Sequence, residues 1–134
     1  MRTIQSMEEL DIPQRYRDYL AEYLANIAAA NLPFISRVIL FGSCARGTTR
    51  KSSDIDIFVT TNREVSIDEE DILAWDCRPT GASSGLPMDL LVQPEEKFIT
   101  FIDSFGMVQK QVHKNGVDLS GFIRERLPNR ASSH

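Results

Sequence analysis

Two aspartates stand at a spacing that could bind a divalent cation. Asp54 and Asp56 are two residues apart in the alternating run DIDIFVT, residues 54–60. Residues two apart on a strand project from the same face, so both carboxylates would lie side by side. Like charges this close raise one another's pKa unless a cation lies between them. The pair therefore predicts a site for Mg²⁺, a hard cation that prefers oxygen ligands.

Asp89 is a third candidate ligand. It lies in the run PMDLLV, residues 87–92, which alternates as a strand. If that strand neighbours the Asp54–Asp56 strand, three carboxylates converge and can hold two ions about 3.5–4 Å apart, as two-metal sites for phosphoryl transfer do. The alternative for Asp89 is a solvated residue on the polar face of a strand.

A phosphate-binding turn is predicted at Gly42-Ser43, which follows the buried strand RVILF, residues 37–41. A glycine after a strand lets backbone amides approach an anion closely, and a following helical turn directs its N-terminus to the same place. Arg46 and Lys51 lie in the next stretch and could neutralise phosphate charge. The alternatives are a simple helix cap for Ser43 and solvated loop charges for Arg46 and Lys51.

The elements that must position these residues alternate between helix and strand. Periodicity and capping signals predict helices over 13–30, from the Ser66–Glu69 capping box to Trp75, and twice between 94 and 114, with a helical turn over 44–47. Strands are predicted over 37–41, 54–60 and 87–92, with a short edge strand over 117–119. This order predicts an α/β (α+β) domain with a small mixed sheet flanked by helices. Trp75 and the apolar stripe from Phe98 to Phe105 are expected in the core, an exposed partner surface being the alternative.

Composition sets the limits on class and compartment. The chain has 134 residues and a net charge of −4, so we expect one domain, over 1–127, with a disordered tail over 128–134, and no extensive nucleic-acid surface. Two cysteines are too few for a disulfide scaffold, and no signal peptide or membrane helix is recognisable. These features predict a cytoplasmic protein.

The segment FGSCARGTTRKSSDIDIFV, residues 41–59, resembles the signature of the polymerase-β-like nucleotidyltransferases. That signature is an apolar strand, Gly-Ser, about ten residues, and Asp-x-Asp between apolar residues. The third acidic residue of the family lies on a later strand, where Pro87-Met-Asp89 matches. The chain is most similar to the minimal nucleotidyltransferase (MNT) domains, and the nucleotidyltransferase fold is expected with them.

The resemblance implies roles for these residues. Asp54 and Asp56 would bind two Mg²⁺ ions, and Asp89 would complete the second site or activate the acceptor hydroxyl. Gly42 and Ser43 would hold the triphosphate of an NTP, and ATP is the expected NTP. The reaction would transfer a nucleoside monophosphate to a hydroxyl and release pyrophosphate.

The resemblance also implies a class of acceptor. Stand-alone MNT proteins are often antitoxins of helical HEPN proteins, so a HEPN-type partner is expected as acceptor, in a toxin–antitoxin system. The alternatives are a binding partner that acts without chemistry and a small-molecule nucleotidyltransferase, for which a homo-oligomer could build the acceptor cleft. Two features depart from the family pattern. Cys44 stands where many relatives carry Arg, and the insert over 61–86 is long enough to be a lid, a dimer contact or a partner surface.

Overall fold

The structure is a computed structural model, and it describes residues 1–81 and 84–124. Its helices and strands follow in the order β1 Arg2–Thr3, a 3₁₀ turn Met7–Glu9, α1 Gln14–Ala30, β2 Ile35–Phe41, α2 Gly42–Arg46, β3 Ile55–Thr61, α3 Ile67–Asp71, a π-helical turn Ile72–Asp76, β4 Met88–Pro94, α4 Glu95–Phe101, α5 Val108–Asn115, β5 Val117–Asp118 and α6 Ser120–Arg124. The expected end of the domain at 127 and the tail over 128–134 lie outside the described residues.

A mixed sheet forms the middle of the fold. Within the described residues its strand order is β1-β5-β2-β3-β4. The pairs β2–β3 and β2–β5 are antiparallel, whereas β3–β4 and β1–β5 are parallel. Helices flank this sheet, so the predicted α/β (α+β) class is confirmed.

The two faces of the sheet bury different clusters, because alternate residues of each strand point to opposite sides. Ile55, Ile57 and Val59 of β3 belong to the larger cluster, which also contains the buried stripe of α1. Phe58 packs in a smaller cluster with Phe98 of α4 and, from α5 and β2, Val112 and Ile39. The side of β3 that carries Asp56 is therefore the side covered by α4 and α5.

The insert between β3 and β4 is anchored on α1. Its α3 begins at the predicted capping box, where the Ser66 hydroxyl accepts from the Glu69 amide at 3.1 Å. Further along, the Tyr23 hydroxyl donates to the Leu73 carbonyl at 2.8 Å, and Asn26 donates to the Cys77 carbonyl at 2.9 Å. These bonds fix the insert's path on the α1 side of the sheet.

Three expectations were wrong. The strand near residue 117 is not an edge strand, because β5 lies between β2 and the two-residue β1, which is too short to leave a sequence pattern. Trp75 is 65% exposed and Phe105 is 95% exposed, so neither belongs to the core. Trp75 instead stacks beneath the Arg78 guanidinium, 4.7 Å from the ring centroid.

Within residues 1–81 and 84–124, no helix combines the length and the apolar character needed to cross a lipid bilayer.

Candidate active site

Asp56 and Asp89 are direct neighbours across the sheet. The register pairs Phe41 of β2 with Asp56 of β3, and Asp56 with Asp89 of β4. Residues paired in register across neighbouring strands project to the same face. The structure therefore brings together two of the three predicted carboxylates, from segments more than thirty residues apart in the chain.

Gly42 lies against the Asp56 carboxylate. Its φ is +74°, and a Cβ at this position would overlap Oδ2 of Asp56. Positive φ and the lack of space both favour glycine here, because any other residue would be strained and would collide with the carboxylate. The Gly-Ser turn and the Asp-x-Asp strand are thus packed together, with the backbone of α2 starting beside Asp56.

The environment of Asp56 disfavours its charged form. Asp56 is half-buried, and desolvation raises the pKa of its carboxyl to about 6, with the Asp89 and Asp54 carboxylates adding to the increase. Arg46 opposes the shift. Negative charge is therefore concentrated where a bound cation would relieve it, which is the behaviour expected of a metal-binding carboxylate cluster.

Asp54 is exposed and lies just before β3. Its backbone carbonyl accepts a hydrogen bond from the Cys44 thiol, with Sγ and O 3.6 Å apart. Cys44 is completely buried, and burial together with Asp56 and Asp54 raises the pKa of its thiol to about 11. Cys44 therefore points away from solvent and ties α2 to the start of β3.

The segment that leads to Asp54 is held by polar contacts from α1. The Tyr16 hydroxyl donates to the Ser53 carbonyl at 2.8 Å, and Arg15 donates to the Lys51 carbonyl at 3.4 Å. On the other side of Asp54, the Ile55 amide donates to the Pro87 carbonyl at 2.9 Å and joins β3 to the start of β4. Sequence reasoning missed Tyr16 as a support of the site, because its place in the apolar stripe of α1 predicts only core packing.

The predicted phosphate contacts divide into two groups. Gly42, Ser43 and Arg46 all lie on α2 beside Asp56, and Arg46 is exposed but close enough to influence the Asp56 carboxyl. Lys51 is an exposed turn residue, and its backbone carbonyl accepts a hydrogen bond from Arg15. The geometry thus links Arg46, but not Lys51, to the carboxylates.

No group of three His, Cys, Asp or Glu residues in the described parts of the chain is arranged to ligate a single ion. The donor set nevertheless suits a hard cation, since Asp54, Asp56 and Asp89 offer only carboxylate oxygens and all three interact electrostatically at Asp56. The residues fit a magnesium site in their chemistry, and Asp54 and Asp89 are exposed at its rim.

Solved structures similar to this chain are known. A candidate nucleotidyltransferase from Sulfolobus solfataricus is 20% identical over 86% of this chain and 86% of its own, with a TM-score of 0.49. A toxin–antitoxin structure with AMP-PNP contains a chain that is 22% identical over 80% of this chain and 83% of its own, with a TM-score of 0.50. Among curated proteins, none matches the sequence.

The sequence profile of the Nucleotidyltransferase domain family matches residues 21–119. The match includes α2, β3 and β4, and thus the three aspartates and the Gly42-Ser43 turn. It confirms the resemblance seen in the Gly-Ser and Asp-x-Asp motifs. The chain belongs to the nucleotidyltransferase domain family.

Proposed function

We propose that the protein transfers a nucleoside monophosphate, AMP from ATP, to a hydroxyl group on a partner protein in a reaction that depends on Mg²⁺. The observation that carries the proposal is the Asp56–Asp89 pairing beside the side-chain-free surface of Gly42. Carboxylates next to an amide-bearing turn are what a metal-bound triphosphate requires.

The three aspartates would hold the metal. Asp56 is the central ligand, since its carboxyl lies between the Gly42 turn and Asp89. Asp54 and Asp89 would complete the coordination from its two sides. Bound Mg²⁺ supplies electrostatic stabilisation of the oxygens that attack and leave in an in-line displacement.

The chain's own groups orient the substrates. The backbone of Gly42 and Ser43 and the Arg46 guanidinium bind the triphosphate, and Lys51 is a further exposed cation in the turn that precedes Asp54. The acceptor oxygen forms a bond to the α-phosphorus as the bond to pyrophosphate breaks. Asp89, exposed at the edge of the sheet, accepts the proton of the acceptor hydroxyl.

A protein acceptor is supported by the toxin–antitoxin structure with AMP-PNP among the structural neighbours. We extend that pairing to this chain, with a HEPN-type helical protein as the partner. Both cysteines are free thiols, which suits a cytoplasmic location with ATP as donor.

A second candidate is a partner-binding protein that neutralises a toxin by complex formation without transfer. It is favoured by Cys44, which is buried and uncharged where many relatives carry Arg. Loss of one cationic contact would slow transfer without preventing partner binding.

The experiment is to incubate the protein with Mg²⁺, an extract of the source cells and ATP labelled on either the α- or the γ-phosphate. If the protein transfers a nucleotide to another protein, the α-label appears on a protein band. That labelled band should be absent when chelator is added and when the label is on the γ-phosphate. Label on a small molecule would point to a small-molecule transferase. If no acceptor carries the α-label, nucleotidyl transfer is contradicted and the second candidate function, partner binding without transfer, is favoured.

A further inference from the structure

The strand that carries Asp89 lies at an open edge of the sheet. β4 ends the strand order, and none of the residues that the structure describes pairs with its outer side. On the inner side, the Ile55 amide donates a hydrogen bond to the Pro87 carbonyl. In a parallel ladder, alternate residues of a strand direct their N–H and C=O groups to opposite sides, so this bond determines which residues of β4 face β3. By that alternation the N–H and C=O groups of Leu90 and Val92 point away from β3. Such unpaired groups are a template for another strand.

The groups on either side of Asp89 limit where a strand can pair and what it would contact. At the start of β4, Arg78 donates to the Met88 carbonyl at 3.3 Å, so the first outward carbonyl already has a partner. The free stretch thus begins directly after Asp89. Leu91, on the same face as Asp89, is 43% exposed, so an apolar contact lies two residues from the carboxylate.

We propose that an extended segment of a partner polypeptide pairs with Leu90–Val92 of β4 and thereby places a Ser, Thr or Tyr hydroxyl beside Asp89. The inference rests on the proposed function and names its acceptor class. In a paired strand, the side chain opposite Asp89 lies on the face of the carboxylates, and the side chain two residues along contacts Leu91. The acceptor is therefore a hydroxyl residue separated by one position from an apolar one.

The chemistry of the edge favours a polypeptide. Backbone N–H and C=O groups in strand geometry recognise another backbone, and alternate side chains then supply specificity. A nucleic-acid acceptor would bring phosphates to an edge that carries Asp89, beside Asp54 and Asp56, with a chain net charge of −4. A second copy of this chain is another candidate occupant, and the test separates it by its dependence on protein concentration.

The test combines amide hydrogen exchange by NMR with a defined peptide. The probe is acetyl-Lys-Thr-Tyr-Val-Val-Thr-Lys-amide, in which one position separates the tyrosine from the second valine, and its control has proline in place of both valines. We expect the Leu90 and Val92 amides to exchange rapidly in the free protein, while the Leu91 and Gln93 amides, which face β3, are protected. The probe should protect Leu90 and Val92, and the proline control should not.

Val92→Pro and Val92→Ala form a matched pair. Both replace the Val92 side chain, but only proline removes the outward N–H. Proline is tolerated at an edge strand when the N–H that it lacks would face solvent. Val92→Pro should bind the probe about tenfold more weakly than Val92→Ala. Thermal unfolding of the two variants checks that the fold is retained. If either variant fails to fold, the exchange measurement on the wild-type protein still tests the proposal.

Two results would overturn the proposal: a probe that leaves the Leu90 and Val92 amides unprotected, or protection in the free protein that grows with its concentration, which would assign the edge to a second copy. Binding of Mg²⁺ with an ATP analogue is measured on the same sample. If the analogue binds but the probe does not, the edge proposal alone fails. If the analogue does not bind, the proposed function fails.

Discussion

Asp56 on β3 and Asp89 on β4 occupy paired positions in a parallel ladder, and the Gly42 backbone lies against the Asp56 carboxylate. Two carboxylates in register repel each other, so this pairing is unfavourable for the metal-free fold. The local environment raises the pKa of Asp56 to about 6, through desolvation first and the neighbouring carboxylates second. A divalent cation at this position would turn a destabilising cluster into a stabilising one.

Removal of either carboxylate of the Asp54–Asp56 pair should abolish transfer. Asp54→Asn and Asp56→Asn each keep the side-chain shape but lose a charged ligand, and we expect activity to fall by more than about 100-fold, since changes to residues behind the ligands already reduce metal affinity or activity by about 10–100-fold. Asp103→Asn, at an exposed carboxylate in the turn after α4, is the control and should retain activity. Activity near the wild-type level in both site variants would refute the roles assigned to them.

Asp56 should make metal-free stability depend on pH. Its folded pKa, about 6, is above the unfolded value of 3.8, so the folded state binds the proton more tightly. The carboxylate therefore destabilises the fold above pH 6, and that penalty disappears as pH falls from 6 towards 4. For a half-buried group, solvent screening limits the effect to about 1 kcal/mol.

Asp56→Asn tests this directly. In chelator at pH 7.5, the variant should unfold at a higher denaturant concentration than the wild type, and the difference should shrink by pH 4.5. Adding Mg²⁺ should stabilise the wild type and leave the variant nearly unchanged. A variant that is less stable than the wild type in chelator at pH 7.5 would contradict like-charge crowding at this position.

Gly42→Ala should damage both fold and site. The new methyl group would collide with the Asp56 carboxylate, and φ of +74° is unfavourable for alanine by about 1–2 kcal/mol. Gly121→Ala in α6 is the matched control, because no atom lies within 4 Å of its new Cβ and alanine favours helix. Urea unfolding should show a loss for Gly42→Ala and no loss for Gly121→Ala; equal stability of the two variants would show that Gly42 is not required.

Neither cysteine should react while the protein is folded. Burial raises the pKa of both the Cys44 and the Cys77 thiol to about 11, so little thiolate is present at pH 8. Mass spectrometry after iodoacetamide treatment should find no adduct on the native chain and two after unfolding in urea. Rapid modification of Cys44 in the native protein would mean that it is accessible, contrary to its contact with Asp54.

The sequence predicted the parts of the fold that have strong local patterns. The strands of the site alternate between apolar and polar residues, the Ser66–Glu69 box marks a helix start, and Gly47 closes α2 in a left-handed conformation with φ of 71°. β1 was not predicted because two residues carry no periodicity. Trp75 and Phe105 were misplaced, since an apolar residue at helical spacing does not reveal whether anything covers it.

The candidate site was only partly predictable. Spacing made Asp54 and Asp56 candidate ligands, and the alternating run 87–92 made Asp89 a third, but whether β4 pairs with β3, and in which register, is a property of the tertiary fold. The close approach of Gly42 to Asp56 likewise follows from the pairing of β2 with β3. The turn contacts of Tyr16 and the burial of Cys44 left no sequence signal, because a tyrosine in an apolar stripe and a cysteine in a turn have many possible surroundings.

The central claim is that the three aspartates and the Gly42-Ser43 turn together bind a divalent metal with a nucleoside triphosphate. Isothermal titration with an ATP analogue that cannot be cleaved between the α- and β-phosphates tests it most directly. We predict binding by the wild-type protein in Mg²⁺, none in chelator, and an affinity at least about tenfold lower for Asp56→Asn. Equal affinity with and without Mg²⁺, or in wild type and Asp56→Asn, would contradict the account.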